Sequence, residues 1–133
     1  MKKIILDTNF LLIPAQFRVD IFSEIQRIVD FPYQLCIVDK SLDELKNIAE
    51  KQKKPSKLAV KLTLGLIKTK DLKIIPVKQG NSRASADDLI VELASKEPGS
   101  YIIATQDRLL RQRLKEAKVN VIVLRQKKYL SFG

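Results

Sequence analysis

The stretch Lys3-Ile4-Ile5-Leu6-Asp7-Thr8-Asn9-Phe10 decides the fold. A short apolar, β-prone run stops abruptly on Asp-Thr-Asn, the pattern of a buried parallel strand ending in a polar loop. In open α/β sheets, ligands bind in the crevice outside the carboxyl ends of the strands. A carboxylate placed there needs a positive partner, such as a metal ion or a helix N-terminus. The design repeats at Tyr101-Ile102-Ile103-Ala104-Thr105-Gln106-Asp107. Two apolar strands therefore end on or near an Asp, in a chain whose formal net charge is +10.

Outward from these two stretches, apolar runs of strand length also fall near residues 35–38, 72–77 and 119–124. Helical patterns lie between them. Phe17, Ile21, Ile25 and Ile28 mark one face of a helix over 17–30, and Leu42, Leu45, Ile48 and Ala49 one over 41–52. Leu58, Leu62, Leu66 and Ile67 mark a third, which Pro55 suits as a start. Ile90, Leu93 and Ala94 mark a fourth, and Leu109, Leu110 and Leu114 a fifth over 107–117. Strands alternating with helices predict a three-layer α/β/α fold around a central parallel sheet of about five strands. No repeat or long linker divides the chain, so a single domain over residues 1–133 is expected. The least ordered stretches are expected at residues 51–56 and 78–83, which are basic or rich in Gly, Asn and Ser.

Composition narrows the chemistry. A chain of 133 residues with 45% hydrophobic and 30% charged residues is globular, and no apolar run approaches the length of a membrane span. The expected location is the cytoplasm. The lone Cys36, in Leu35-Cys36-Ile37-Val38, reads as a buried structural thiol, and no disulfide can form within one chain. The absence of His removes the commonest general base and zinc ligand. Catalysis would have to run on carboxylates, hydroxyls, Lys or an oxygen-ligated metal such as Mg²⁺ or Mn²⁺. The 25 Lys and Arg against 15 Asp and Glu favour a polyanionic partner.

Each acidic candidate has a structural alternative. Asp7 can close an Asx turn with Thr8-Asn9. Glu44 stands three after Ser41, the spacing of a capping box, although an early helical Glu after a strand also lies at the sheet's carboxyl edge. Asp88 stands three after Ser85, again a capping spacing, whereas Asp87 shares the apolar face of Ile90, Val91 and Ala94. Asp88 thus reads mainly as a cap and Asp87 as the functional residue. Asp107 falls in or near the first turn of a helix for which Thr105 is the expected N-cap. If Asp7, Glu44, Asp87 and Asp107 converge, they repel one another when ionised, and a divalent cation resolves the repulsion. Such a site can activate water for displacement at a phosphate. The basic residues Lys46, Arg83, Arg108, Arg111 and Arg113, with Lys127 and Lys128 near the C-terminus, are candidates to hold the backbone of a nucleic acid.

Taken in order, Asp7-Thr8-Asn9, Glu44 in Leu-Asp-Glu-Leu, Ala86-Asp87-Asp88-Leu89-Ile90 and Ala104-Thr105-Gln106-Asp107-Arg108 resemble the four acidic motifs of PIN-domain ribonucleases. The resemblance spans essentially the whole chain. Asp-Thr-Asn-Phe-Leu, the Ala-Asp-Asp motif and the basic Arg125-Gln126-Lys127-Lys128-Tyr129 ending look most like the single-domain Fcf1/Utp24-like branch, associated with pre-ribosomal RNA processing. The nearer competitor is the VapC toxin branch. The resemblance implies a Mg²⁺- or Mn²⁺-dependent endoribonuclease with Asp7, Glu44, Asp87 and Asp107 as its acidic set. It also implies a polar role for Thr105 beside the metal, with Asp88 the alternative ligand if the helix starts one residue later. RNA is the implied partner, joined by a second copy of the chain, an antitoxin or a ribosome-assembly factor. The alternative to an enzyme is a catalytically weak RNA-binding assembly factor. A small-molecule α/β binding protein is disfavoured, because no Gly-rich phosphate loop follows the first strand.

Overall fold

The alternation of strands and helices is realised in a computed structural model, which describes residues 1–51, 54–78 and 83–133. Its strands are β1 (Lys2–Leu6), β2 (Tyr33–Val38), β3 (Lys73–Ile75), β4 (Tyr101–Ala104), β5 (Asn120–Arg125) and β6 (Tyr129–Phe132). They form a six-stranded sheet in the order β3-β2-β1-β4-β5-β6. All neighbours are parallel except β5 and β6, which are antiparallel. The sixth strand was not expected. Residues 126–128, read from sequence as part of a basic ending, form a tight turn instead. Gln126 and Lys127 adopt φ of 52° and 55°, and Lys128 N donates to Arg125 O at 2.9 Å. Left-handed conformations at both central residues suit the right-handed twist of a two-stranded hairpin.

The helices are α1 (Ile13–Phe17), α2 (Ile21–Ile28), α3 (Asp39–Lys51), α4 (Lys54–Thr69), α5 (Ala86–Lys96) and α6 (Arg108–Glu116). Side chains alternate along the strands and divide the core in two. Ile4, Leu6, Ile37, Ile102, Ile122 and Leu130 pack on one face with Ile13, Ile21, Ile25, Leu45 and Val60 of the first four helices. Ile5, Cys36, Val38, Ile103, Val121 and Val123 pack on the other with Ile90, Ala94, Leu110 and Leu114 of α5 and α6. Cys36 is fully buried, as its strand context predicts.

The first helix departs from expectation. The face drawn over 17–30 spans two helices, because Arg18 takes a left-handed φ of 56° and ends α1. Asp20 then caps α2 by accepting from Ser23 N at 3.1 Å. Phe17 therefore falls outside α2 and lies beneath Lys127 Nζ, 5.6 Å from its ring centroid. The run near 72–77 shortens to the three residues of β3. The stretches expected to be least ordered centre on residues 52–53 and 79–82, which lie outside the described residues.

Two side-chain contacts finish the sheet where backbone runs out. β4 leaves the ladder at Ala104 while β5 continues, and Gln106 fills the gap. Its Oε1 accepts from Leu124 N at 2.6 Å and its Nε2 donates to Leu124 O at 3.3 Å. Leu124 is paired across the hairpin with Leu130. On the outer side of Leu130, Glu24 Oε1 accepts from its N–H at 2.9 Å and Arg27 Nη2 donates to its carbonyl at 3.1 Å.

Candidate active site

β1 is the strand from which the connections run both ways, toward β2 and β3 on one side, while β4 and β5 lie on the other. The boundary between β1 and β4 is the topological switch point, where the crossovers part and leave a crevice beyond the carboxyl ends. Leu6 is in register with Ala104, and Asp7 N donates to Ala104 O at 3.0 Å. The residues immediately following, Asp7 and Thr105, therefore leave the sheet side by side.

Asp7 is only 2% exposed. Its Oδ1 accepts from Phe10 N at 2.6 Å, three residues on, so the side chain caps the helical turn that opens at Phe10 instead of closing the shorter Asx turn expected with Thr8-Asn9. Its Oδ2 accepts a hydrogen bond from the Thr105 hydroxyl. Thr105 Oγ1 in turn accepts from Asp107 N at 3.0 Å. This chain corrects one expectation: Thr105 is not the N-cap of α6. Asp107 is, with Oδ1 accepting from Leu110 N at 2.8 Å, while Thr105 is wholly buried between the two acids. The polar role expected for Thr105 is thus a bridge from the α6 N-terminus to Asp7.

Glu44 also differs from its capping reading. α3 begins at Asp39, so Ser41 and Glu44 lie within the helix and no box forms between them. Glu44 Oε1 instead stands 2.9 Å from Thr8 Oγ1, which is itself 3.0 Å from Ser41 Oγ. Glu44 Oε2 accepts from Ala86 N at 3.0 Å, at the positive start of α5. Thr8 and Ser41, both buried, were read from sequence only as turn and cap residues and not as part of the site.

The pair Asp87 and Asp88 divides as helical phase predicts. Asp88 closes a capping box with Ser85 and accepts from Arg113 Nη1 at 2.9 Å on the surface. Asp87 is half-buried and, with Asp7, Thr8, Glu44 and Asn47, lines a cleft of about 330 Å³.

Electrostatics ties the acids together. Burial pushes the Asp7 carboxyl up to about 7, with the charges of Asp87 and Asp107 adding to the rise and the bonds from Thr105 and Phe10 opposing it. Asp87 is likewise raised, by burial first and then by Asp107 and Glu44. Asp7, Glu44, Asp87 and Asp107 thus share one field at one sheet edge. Among the described residues, no three acidic side chains stand close enough to enclose a metal ion as they are. The donor set nevertheless suits a hard cation, being oxygen only, and repulsion and burial leave it short of positive charge.

The basic candidates distribute around this edge. Lys46, Arg83, Arg108, Arg113, Lys127 and Lys128 are exposed, and Arg111 is partly buried. Arg108 follows Asp107 directly, and Arg83 precedes the α5 cap by two residues. Lys127 and Lys128 sit in the β5–β6 turn, which projects from the same edge of the sheet. Arg113 is engaged with Asp88.

Comparison with known proteins agrees with this fold. Residues 4–127 match the family described as "PIN like domain". The chain is 31% identical to Ribonuclease VapC4 of Methanocaldococcus jannaschii, covering 100% of this chain and 98% of that protein. Among solved structures it is similar to the PIN domain endonuclease Utp24, with a TM-score of 0.77 and 21% identity over 98% of this chain and 90% of that one. It is also similar to VapBC-1 of nontypeable Haemophilus influenzae, with a TM-score of 0.59 and 15% identity over 86% and 93%. With sequence and fold in agreement along almost its whole length, the chain belongs to the PIN-like domain family.

Proposed function

We propose that this protein is a divalent-metal-dependent endoribonuclease, carried on one domain over residues 1–133. The observation that carries the reading is the buried Asp7 at the switch point, its carboxyl raised to about 7 and coupled to Asp87 and Asp107. An isolated structural turn gains nothing from being surrounded by further acids. A carboxylate set that holds a cation does, because the attraction of each acid to the ion outweighs the repulsion among them.

Asp7, Asp87, Asp107 and Glu44 are the residues proposed to hold Mg²⁺ or Mn²⁺, with Asp88 the alternative to Asp87. When bound, such an ion would lower the pKa of a coordinated water and neutralise charge developing on a phosphate. The chain's own residues prepare the site. Thr105 fixes the Asp7 carboxylate by donating to one oxygen, and Phe10 N–H fixes the other. Thr8 holds Glu44 against the α5 N-terminus. Lys46, Arg83, Arg108, Arg111, Arg113, Lys127 and Lys128 are proposed to supply the positive surround that a ribose-phosphate backbone requires. No helix among the described residues is long and apolar enough to cross a membrane.

Two biological settings share this chemistry. The sequence likeness to Ribonuclease VapC4 favours a toxin-type ribonuclease held by an antitoxin partner. The motif-level resemblance to the Fcf1/Utp24-like branch favours ribosomal RNA processing. A second copy of the chain is a further proposed partner, and the cytoplasm the proposed location. The test is incubation of purified protein with end-labelled structured RNA in Mn²⁺, Mg²⁺ or EDTA. Cleavage is expected with metal, none with EDTA, and most of it should vanish in Asp7→Asn. Metal-independent cleavage, or full activity in Asp7→Asn, would refute the proposal.

A further inference from the structure

A second concavity, of about 660 Å³, runs along α6 between the helix and the C-terminal hairpin. Five cationic residues line it: Arg108, Arg111, Lys115, Lys118 and Arg125. No acidic residue is among its described lining residues, and its floor is apolar, formed by Val119 and Val121. Asp107, at the head of the helix, is engaged with the α6 amides. Among the described residues, Arg111 Nε is a buried side-chain nitrogen with no hydrogen-bond partner. A buried guanidinium N–H without an acceptor is costly. The Nε has almost no solvent-accessible surface, so Arg111 contributes to the groove as a lining charge rather than through this atom.

The groove opens at the same sheet edge as the candidate active site. α6 begins at Arg108, directly after Asp107, and runs antiparallel to β5, since β4 and β5 are parallel and α6 connects them. The groove therefore starts at the carboxyl edge, between Arg108 and Arg125, and leads away to Lys115 and Lys118 at the opposite edge. Cations along the groove are the element of a single-strand channel that tracks phosphates, and the floor of Val119 and Val121 gives base faces an apolar surface in place of an aromatic platform. Its size, within the range of pockets that enclose small ligands, suits unpaired nucleotides.

We infer that this groove is the exit path for single-stranded RNA on one side of the cleavage site, with Lys115 and Lys118 holding phosphates beyond the reach of the acidic cleft. The inference rests on the endoribonuclease reading for its orientation, but its test does not need cleavage. Binding of a fluorescein-labelled single-stranded RNA of twelve nucleotides is measured by anisotropy in EDTA. The variant is Lys115→Gln with Lys118→Asn, since Lys118 sits at φ 61°, a conformation that Asn tolerates. The control removes the same charge from the exposed Lys57 and Lys61 of α4, both replaced by Gln.

Counterion release on a single strand gives about 0.7 in log–log salt slope per phosphate contact. Two lost contacts should reduce the slope by about 1.4 and the affinity at 0.1 M salt by roughly 25-fold, with the control within twofold of the parent. Equal losses in variant and control would overturn the inference, because total charge rather than the groove would then set affinity. Undiminished affinity in the variant would overturn it too, leaving an acidic protein segment as the occupant that fits this charge. Metal-dependent cleavage, assayed separately with Asp7→Asn, reports on the endoribonuclease reading alone: that reading can fail while the groove still binds RNA, and the reverse.

Discussion

Replacing Asp7 by Asn tests the electrostatic description of the cleft through stability alone. Asp7 is held at about 7 against an ordinary value of 3.8. At about 1.4 kcal/mol for each tenfold change, ionising it in the folded protein costs about 4 kcal/mol more than in the unfolded chain. The sign follows from the raised value. The favourable contribution of the neutral carboxyl is fully present below pH 3.8 and is lost as pH rises to about 7. Asn stays neutral throughout and escapes that loss. Its amide N–H₂ meets Thr105 where a carboxylate oxygen was, which costs about 1 kcal/mol independent of pH. The offset moves the whole curve and leaves its slope intact. Urea unfolding of both proteins in EDTA, at steps from pH 4 to 8, should show Asn gaining on Asp by up to about 1.4 kcal/mol per pH unit. The gain should level off above pH 7, at a ceiling of about 4 kcal/mol. Adding Mn²⁺ at pH 7 should raise the midpoint of the parent more than that of the variant, since only ionised Asp7 rewards the ion. Parallel pH curves would refute the burial and repulsion argued for this carboxyl.

Other expectations follow from individual contacts. Thr105→Val removes the donor to Asp7, so the acidic limb of the metal-dependent pH–rate profile should move to higher pH; an unmoved limb would count against the bridge. Asp87→Ala should abolish cleavage with little change in melting temperature, whereas Asp88→Ala should lower melting temperature with cleavage largely kept, and the reverse pattern would make Asp88 the ligand. Ser85→Ala removes the α5 N-cap and should cost about 1 kcal/mol in urea unfolding. Gln126→Gly should stabilise by about 0.5–1 kcal/mol. Relief of a left-handed residue, roughly 1–2 kcal/mol, exceeds glycine's added entropy cost of roughly 0.5–1 kcal/mol. A loss of stability would mean that φ 52° is held there by contacts of the Gln side chain.

The sequence made the parallel strands legible because each is a short apolar run closed by polar residues, and burial on both faces demands that composition. Asp7 and Asp107 could be placed at one edge because they follow β1 and β4, which are neighbours in a sheet of this winding. Asp87 and Asp88 could be separated because one-residue steps on a helix turn through about 100°. The signals that failed were local ones with tertiary competitors. Ser41 and Glu44 have capping-box spacing, yet α3 starts earlier and both residues turn toward Thr8. Thr105 looked like a cap, but burial beside Asp7 gave its hydroxyl a stronger partner. β6 escaped notice because its turn uses Gln126 and Lys127, without the Asn-Gly signature that usually marks a hairpin. The link between Glu44 and Ala86 joins residues 42 apart, and no local pattern reports such a contact.

The side chains that border the β5–β6 hairpin bear on how copies of this protein can meet. Amyloid-like stacking and strand exchange begin where a sheet presents free amides and carbonyls as a template. Here Glu24 and Arg27 occupy both groups of Leu130, at the middle of the outermost strand. A visiting strand would have to displace a bidentate mimic of itself before gaining its first bond. The opposite border is the three-residue β3, too short to recruit a partner along its length. Sheet extension is therefore disfavoured at both borders. Neutralising Glu24 should uncover the template and appear first as slow, concentration-dependent aggregation rather than as loss of fold.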